Sequence, residues 1–299
     1  MFKLRDIKEV FEILGVKHPQ LVKVGEKPPK LIVSFGDSDI LMNYGLGVAQ
    51  YLLDNHLPLL KQAYFIGTGS GTIPAVCLSL ASQNSKSTLI TDFFRRMTSN
   101  ISSLPIYLRE AQRREFISNT LKSLASLDEP EKLLLGKCSL FLHPNPNFIF
   151  GRVHGILDRY HVLYGLPVSE WRSKEDLIQC IEASMAPSYK HFIPFRGIPI
   201  VKASRYSLSP QVDQAIRHVY VHGYAGGGYM SREKLHAHVF GHHGSIFNVS
   251  TSHYLQRLCI SYPRVFSGSI EKTYHQGYKD AAQFSRWEED PYHYSRGVE

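Results

Sequence analysis

Residues 64–80, YFIGTGSGTIPAVCLSL, are built like the seat of a catalytic nucleophile. Tyr64, Phe65 and Ile66 read as a strand, the glycines after them as a tight turn, and the apolar run that follows as a helix. A serine displayed at such a junction attacks acyl carbonyls, and the turn demands small residues two positions either side of it. Gly67 and Gly71 meet that demand for position 69, and position 69 is glycine. Ser70 stands one place late, with Thr68 and Thr72 at its own flanking positions. The spacing predicts the turn without its nucleophile.

Two other stretches carry residue types with chemistry. In HAHVFGHH, His236 and His238 point the same way on a strand, and His242 and His243 follow a glycine turn. No cysteine or acid accompanies them, whereas a structural zinc site closes with four ligands, so they are weak metal candidates and the sequence implies no metal. VHGYAGGGYM (221–230) lacks the Lys-Ser/Thr of a phosphate-binding loop and reads as a connection between strands. Cys77, Cys138, Cys180 and Cys259 have no paired spacing and read as buried thiols of a reducing compartment.

Four segments in order resemble the patatin-like phospholipases of the adiponutrin type. LIVSFGDSDILMNYGLGVAQYLL (31–53) is similar to the family's opening strand, Gly-rich oxyanion loop and helix, and FIGTGSGTIPAV to its nucleophile turn. SKEDLIQCIEASMAPSY (173–189) resembles its helix ending in A-S-x-x-x-P, here Ala183, Ser184 and Pro187. The hairpin-like RGIPIVKASRYSLSP (196–210) stands where relatives carry D-G-G with the catalytic Asp, and YHQGYKDAAQFSRWEE (274–289) resembles the G-[YF]-x-D-x-x-x-F closing helix. The resemblance implies a three-layer α/β/α fold with a mostly parallel central sheet, helices on both faces, and a helix N-terminus near Gly71 aimed at the old site.

Carried over position by position, the resemblance also implies that each catalytic group is gone. The serine falls on Gly69, the D-G-G aspartate on Lys202, and the oxyanion loop on a run that holds Asp37 and Asp39 after its first glycine. A carboxylate ~4 Å from an oxyanion costs about 4 kcal/mol at an effective dielectric near 20. Loss of the nucleophile alone removes on the order of 10⁶ in kcat where serine hydrolases have been dissected. An acid pair and a base replacing groups that once converged on one substrate lead us to expect Lys202 within salt-bridge reach of Asp37 or Asp39.

The elements around these residues fit one large domain. The sequence divides into an extension with an amphipathic helix (1–30), a patatin-like domain (31–289) and a tail (290–299). In the extension, Phe2, Ile7, Val10, Phe11 and Leu14 share a helical face that Gly15 closes, and such a helix docks onto its own domain or a partner. No apolar run approaches the ~18 residues of a membrane span. With a net charge of +8 spread over 299 residues, the chain calls for acidic company: protein subunits, RNA or anionic lipid. These features lead us to expect a non-catalytic structural or interaction subunit of a larger intracellular assembly, cytoplasmic or mitochondrial, with no cofactor. A non-catalytic lipid binder and an acyl hydrolase using Ser70 are the alternatives.

Overall fold

A computed structural model describes residues 5–16, 29–37, 42–84, 88–99, 127–150, 165–186, 192–202, 217–222, 246–250 and 267–282. In chain order the elements are β1 (Arg5–Asp6), α1 (Ile7–Leu14), β2 (Leu31–Phe35), α2 (Met42–Leu60), β3 (Ala63–Thr68), a 3₁₀ turn (Gly69–Gly71), α3 (Thr72–Asn84), α4 (Thr88–Ser99), α5 (Pro130–Leu134), β4 (Cys138–Pro144), β5 (Ile149–Phe150), β6 (Leu166–Val168), α6 (Lys174–Ser184), β7 (Ile193–Phe195), β8 (Ile198–Val201), β9 (Arg217–His222), β10 (Ile246–Ser250) and α7 (Ser267–Ala281). The fold is mixed α/β around a mostly parallel sheet ordered β10-β9-β2-β3-β4-β8-β7, with β6 also on β4.

From β10 through β4 every pairing is parallel, while β6, β8 and β7 join antiparallel beyond β4. Parallel strands covered by helices read as continuous apolar runs, as in Leu31-Ile32-Val33 on β2, where all five residues are buried. Alternation splits the sheet into two faces. Leu31, Val33 and Phe35 belong to the large core, to which all seven helices of the described residues contribute. Ile32, Tyr64, Ile66 and Phe141 form a separate small cluster on the opposite face. That face also carries buried hydroxyls and an imidazole: Ser34 Oγ lies 2.7 Å from His218 Nε2, and Tyr64 Oη 2.5 Å from Ser139 Oγ. Burial drives the Tyr64 phenol above its usual range, against the Ser139 hydrogen bond, which acts to lower it.

α7 coincides with the expected closing helix (274–289) over residues 274–281, and Gly277, Tyr278 and Asp280 hold it to α2. A Cβ on Gly277 would run into the Tyr44 carbonyl oxygen, and one on Gly47 into that of Tyr274, so the two backbones touch where neither residue has a side chain. Tyr44 Oη donates to Asp280 Oδ2 at 2.7 Å, and Tyr278 Oη to Asp54 Oδ2 at 3.2 Å. Desolvation foremost, then Asp280, pushes the Tyr44 phenol far above its usual range, so it stays a donor.

The N-terminal helix is shorter than the sequence pattern implies. It starts at Ile7, because Arg5 and Asp6 pair in parallel with Ile149 and Phe150. Asp6 caps it by accepting from Lys8 N–H at 2.8 Å, and Gly15 ends it at φ +74°. Ile7, Val10 and Leu14 are buried in the main core, so the helix docks on its own domain.

Candidate functional site

Gly67, Gly69 and Gly71 shape the turn between β3 and α3, each for a different reason. At Gly67 a Cβ would lie 2.5 Å from Thr72 Cα; at Gly71 it would strike the Phe35 carbonyl and lie 2.6 Å from that of Gly36. These are the close approaches predicted for the two flanking positions. Gly69 has φ +58°, the left-handed conformation that a residue with a Cβ resists. The residue at the apex is therefore held in the strained backbone state of a nucleophile turn, with no side chain to display.

A carboxylate occupies the space over Gly69. In the β2–β3 pairing Phe35 stands opposite Gly67, so two residues on, at neighbouring carboxyl ends, Asp37 reaches Gly69. A Cβ on Gly69 would lie 2.5 Å from Asp37 Cγ and 2.6 Å from both Cβ and Oδ1. Asp37 Oδ1 accepts the Ser70 backbone N–H at 3.1 Å and the Ser70 hydroxyl at 3.1 Å. The N–H after the nucleophile is an oxyanion donor in hydrolases built on this turn. Here that donor, at the start of a helix whose dipole favours negative charge, holds the chain's own carboxylate. Hydrogen bonds to a charged partner contribute about 1.5–3 kcal/mol, so the chain's own side chain holds this N–H.

Behind the turn, α6 braces the apex carbonyl. Thr72 Oγ1 donates to Gly69 O at 2.8 Å. Ser184 Oγ lies 3.2 Å from the same oxygen, 2.7 Å from Ile181 O and 3.0 Å from Thr72 Oγ1, and its single proton serves one of them at a time. The serine of the A-S-x-x-x-P segment thus touches the nucleophile turn directly. Thr68 and Thr72, read from sequence as an obstacle to a turn centred on Ser70, include a strut of the turn centred on Gly69.

No family model and no curated protein matches the chain.

Lys202 follows β8, and its expected salt bridge with Asp37 is not among the ion pairs of the described residues. Strand order gives the reason. β3 and β4 lie between β2 and β8, and three strand spacings separate the backbones by about 14 Å. Asp39 lies outside the described residues, as do His236, His238, His242, His243 and Cys259. Among the described residues, no cluster of three or more His, Cys, Asp or Glu is placed to hold a metal ion. Cys77, Cys138 and Cys180 are buried free thiols. Burial raises Cys77 and Cys180 to about 12 and pushes Cys138 higher still.

Two features escaped the sequence reading. The Asp37–Ser70 contact has a signal in principle, since parallel pairing of the two predicted strands puts residues 37 and 69 side by side. The buried Ser34–His218 pair joins residues 184 apart, and nothing in their spacing announces it.

Proposed function

We propose that this chain is a patatin-like pseudoenzyme of three-layer α/β/α architecture, acting as a structural or interaction subunit of a larger intracellular assembly. The observation that carries the reading is the carboxylate of Asp37 seated on the Ser70 N–H, over a glycine held at φ +58°. A turn that keeps its geometry but fills its own oxyanion donor retains the scaffold while abandoning the reaction. Function then rests on surfaces, because a scaffold and the site grafted on it are separable. The net charge of +8 fits acidic partners, such as protein subunits or RNA. Three buried thiols fit a reducing compartment. Among the described residues no helix is long and apolar enough to cross a membrane.

The Ser70 hydroxyl on Asp37 gives the hydrolase alternative a favourable contact, since a serine beside a carboxylate is a nucleophile beside a base. The turn itself weakens it, because the left-handed apex at which such a turn displays its nucleophile is Gly69 and not Ser70. A fluorophosphonate probe and native mass measurement test the proposal together. We expect no labelling, and a particle from cells far above the 34.0 kDa of the chain. Labelling abolished by Ser70→Ala overturns the pseudoenzyme; a monomer from cells overturns the subunit role.

A further inference from the structure

We infer that the N-terminal segment 5–16 is a latched strap, a separate opening unit that Arg196 holds against the domain. This goes beyond the pseudoenzyme reading and does not depend on it. Arg196 and Gly197 form the turn of the β7–β8 hairpin, with φ +48° and +75°. Glycine takes that conformation freely and a residue with a Cβ resists it, so an arginine there raises the question of what its side chain does.

Its side chain is 8% exposed, and every nitrogen of the guanidinium is engaged. Nε donates to Asp176 Oδ1 at 3.1 Å and Nη2 to Asp176 Oδ2 at 2.5 Å. Nη2 also donates to Glu170 O at 2.9 Å, and Nη1 to Leu14 O at 3.0 Å. The carbon of the group lies 4.9 Å from the centre of the Phe195 ring. One side chain therefore ties together the hairpin, the N-terminus of α6, the loop before it and the C-terminus of α1.

The last of these contacts is what α1 lacks in itself. The final carbonyls of a helix have no partner within it, and a cation there complements the dipole. Gly15 N–H reaches Glu12 O and Val16 N–H reaches Phe11 O, and the Leu14 carbonyl accepts from Arg196. The last turn of α1 contains no basic residue, so the charge comes from 182 residues away. An eight-residue helix is not stable in water alone, and β1 contributes only two paired residues. The strap consequently exists docked or not at all, with Ile7, Val10 and Leu14 buried on one side and Arg196 closing its end.

Hydrogen exchange of the full chain, resolved by peptide, tests the latch. In Arg196→Met we expect amides of 5–16 to exchange at least about tenfold faster while those of β2 and β3 keep their protection, the pattern of a local unit that opens by itself. Arg196→Lys should fall between, because an ammonium keeps the charge beside Asp176 but cannot span three acceptors in a planar fork. Val10→Ala loosens the same segment without touching Arg196 and should give the same local pattern, which keeps the test open should Arg196→Met not fold. Unchanged protection of 5–16 in either variant refutes the strap. So does equal acceleration of 5–16 and of β2 and β3, since the segment would then open only with the whole domain.

Discussion

Replacing Gly69 by alanine should be costly for two separable reasons, and a second substitution separates them. The backbone at φ +58° charges a residue with a Cβ about 1–2 kcal/mol. The new methyl would also lie 2.5 Å from Asp37 Cγ and 2.6 Å from its Cβ, and forcing an atom into such packing costs about 1–3 kcal/mol. The sum is about 2–5 kcal/mol. In an Asp37→Gly background the steric part vanishes and only the backbone part, about 1–2 kcal/mol, is left. Asp37→Ala should relieve less, because its Cβ remains one of the atoms in the way. Urea denaturation of the wild type, the two single variants and the double variant gives a coupling energy, expected at about 1–3 kcal/mol and favouring the double. A coupling below about 0.5 kcal/mol, the usual additivity of distant sites, would mean that Asp37 does not rest on Gly69, and the filled oxyanion position would go with it. Gly69→Ser alone should show no esterase turnover, because Asp37 already occupies the Ser70 N–H that would serve as its oxyanion donor.

Gly277→Ala should lower stability by about 3 kcal/mol, the upper end for overpacking, because the methyl meets the Tyr44 backbone oxygen and the α2–α7 pair must part; a denaturation midpoint within error of wild type would contradict that seam. Burial tends to raise the Asp176 carboxyl, but Arg196 and the Arg172 N–H outweigh it and hold it below its usual value. The stability this contributes is present above the unfolded carboxyl pKa of about 3.9 and is lost as pH falls through the lower folded value. Asp176→Asn should therefore lose stability against wild type at pH 6 and narrow the gap below pH ~4; an equal gap at both pH values, read by urea midpoints, would refute the assignment.

What the sequence determined by itself is local. The strand–turn–helix at 63–84 was legible because glycine spacing and apolar runs act within a few residues, and the turn at Gly69 follows from them. Ser173 before Lys174, accepting the Asp176 N–H at 3.3 Å, starts α6 as a cap close in sequence, and Gly15 ends α1 in the same way. The start of α1 was misread because Arg5 and Asp6 are claimed by a strand 144 residues later, a competitor that helical periodicity cannot see. That position 69 is glycine, between Gly67 and Gly71, could likewise be read from the sequence alone.

Only the tertiary structure decided what fills the gap. Asp37 was expected to repel an oxyanion beside Lys202, whereas strand register sets it on the Ser70 N–H and strand order puts Lys202 three spacings away. Arg196 looked like one residue of a hairpin, and docking makes it the partner of Leu14 and Asp176. Such contacts depend on which strands become neighbours and in what alignment, and that is settled by burial of the whole sheet rather than by any preference written near the residues themselves.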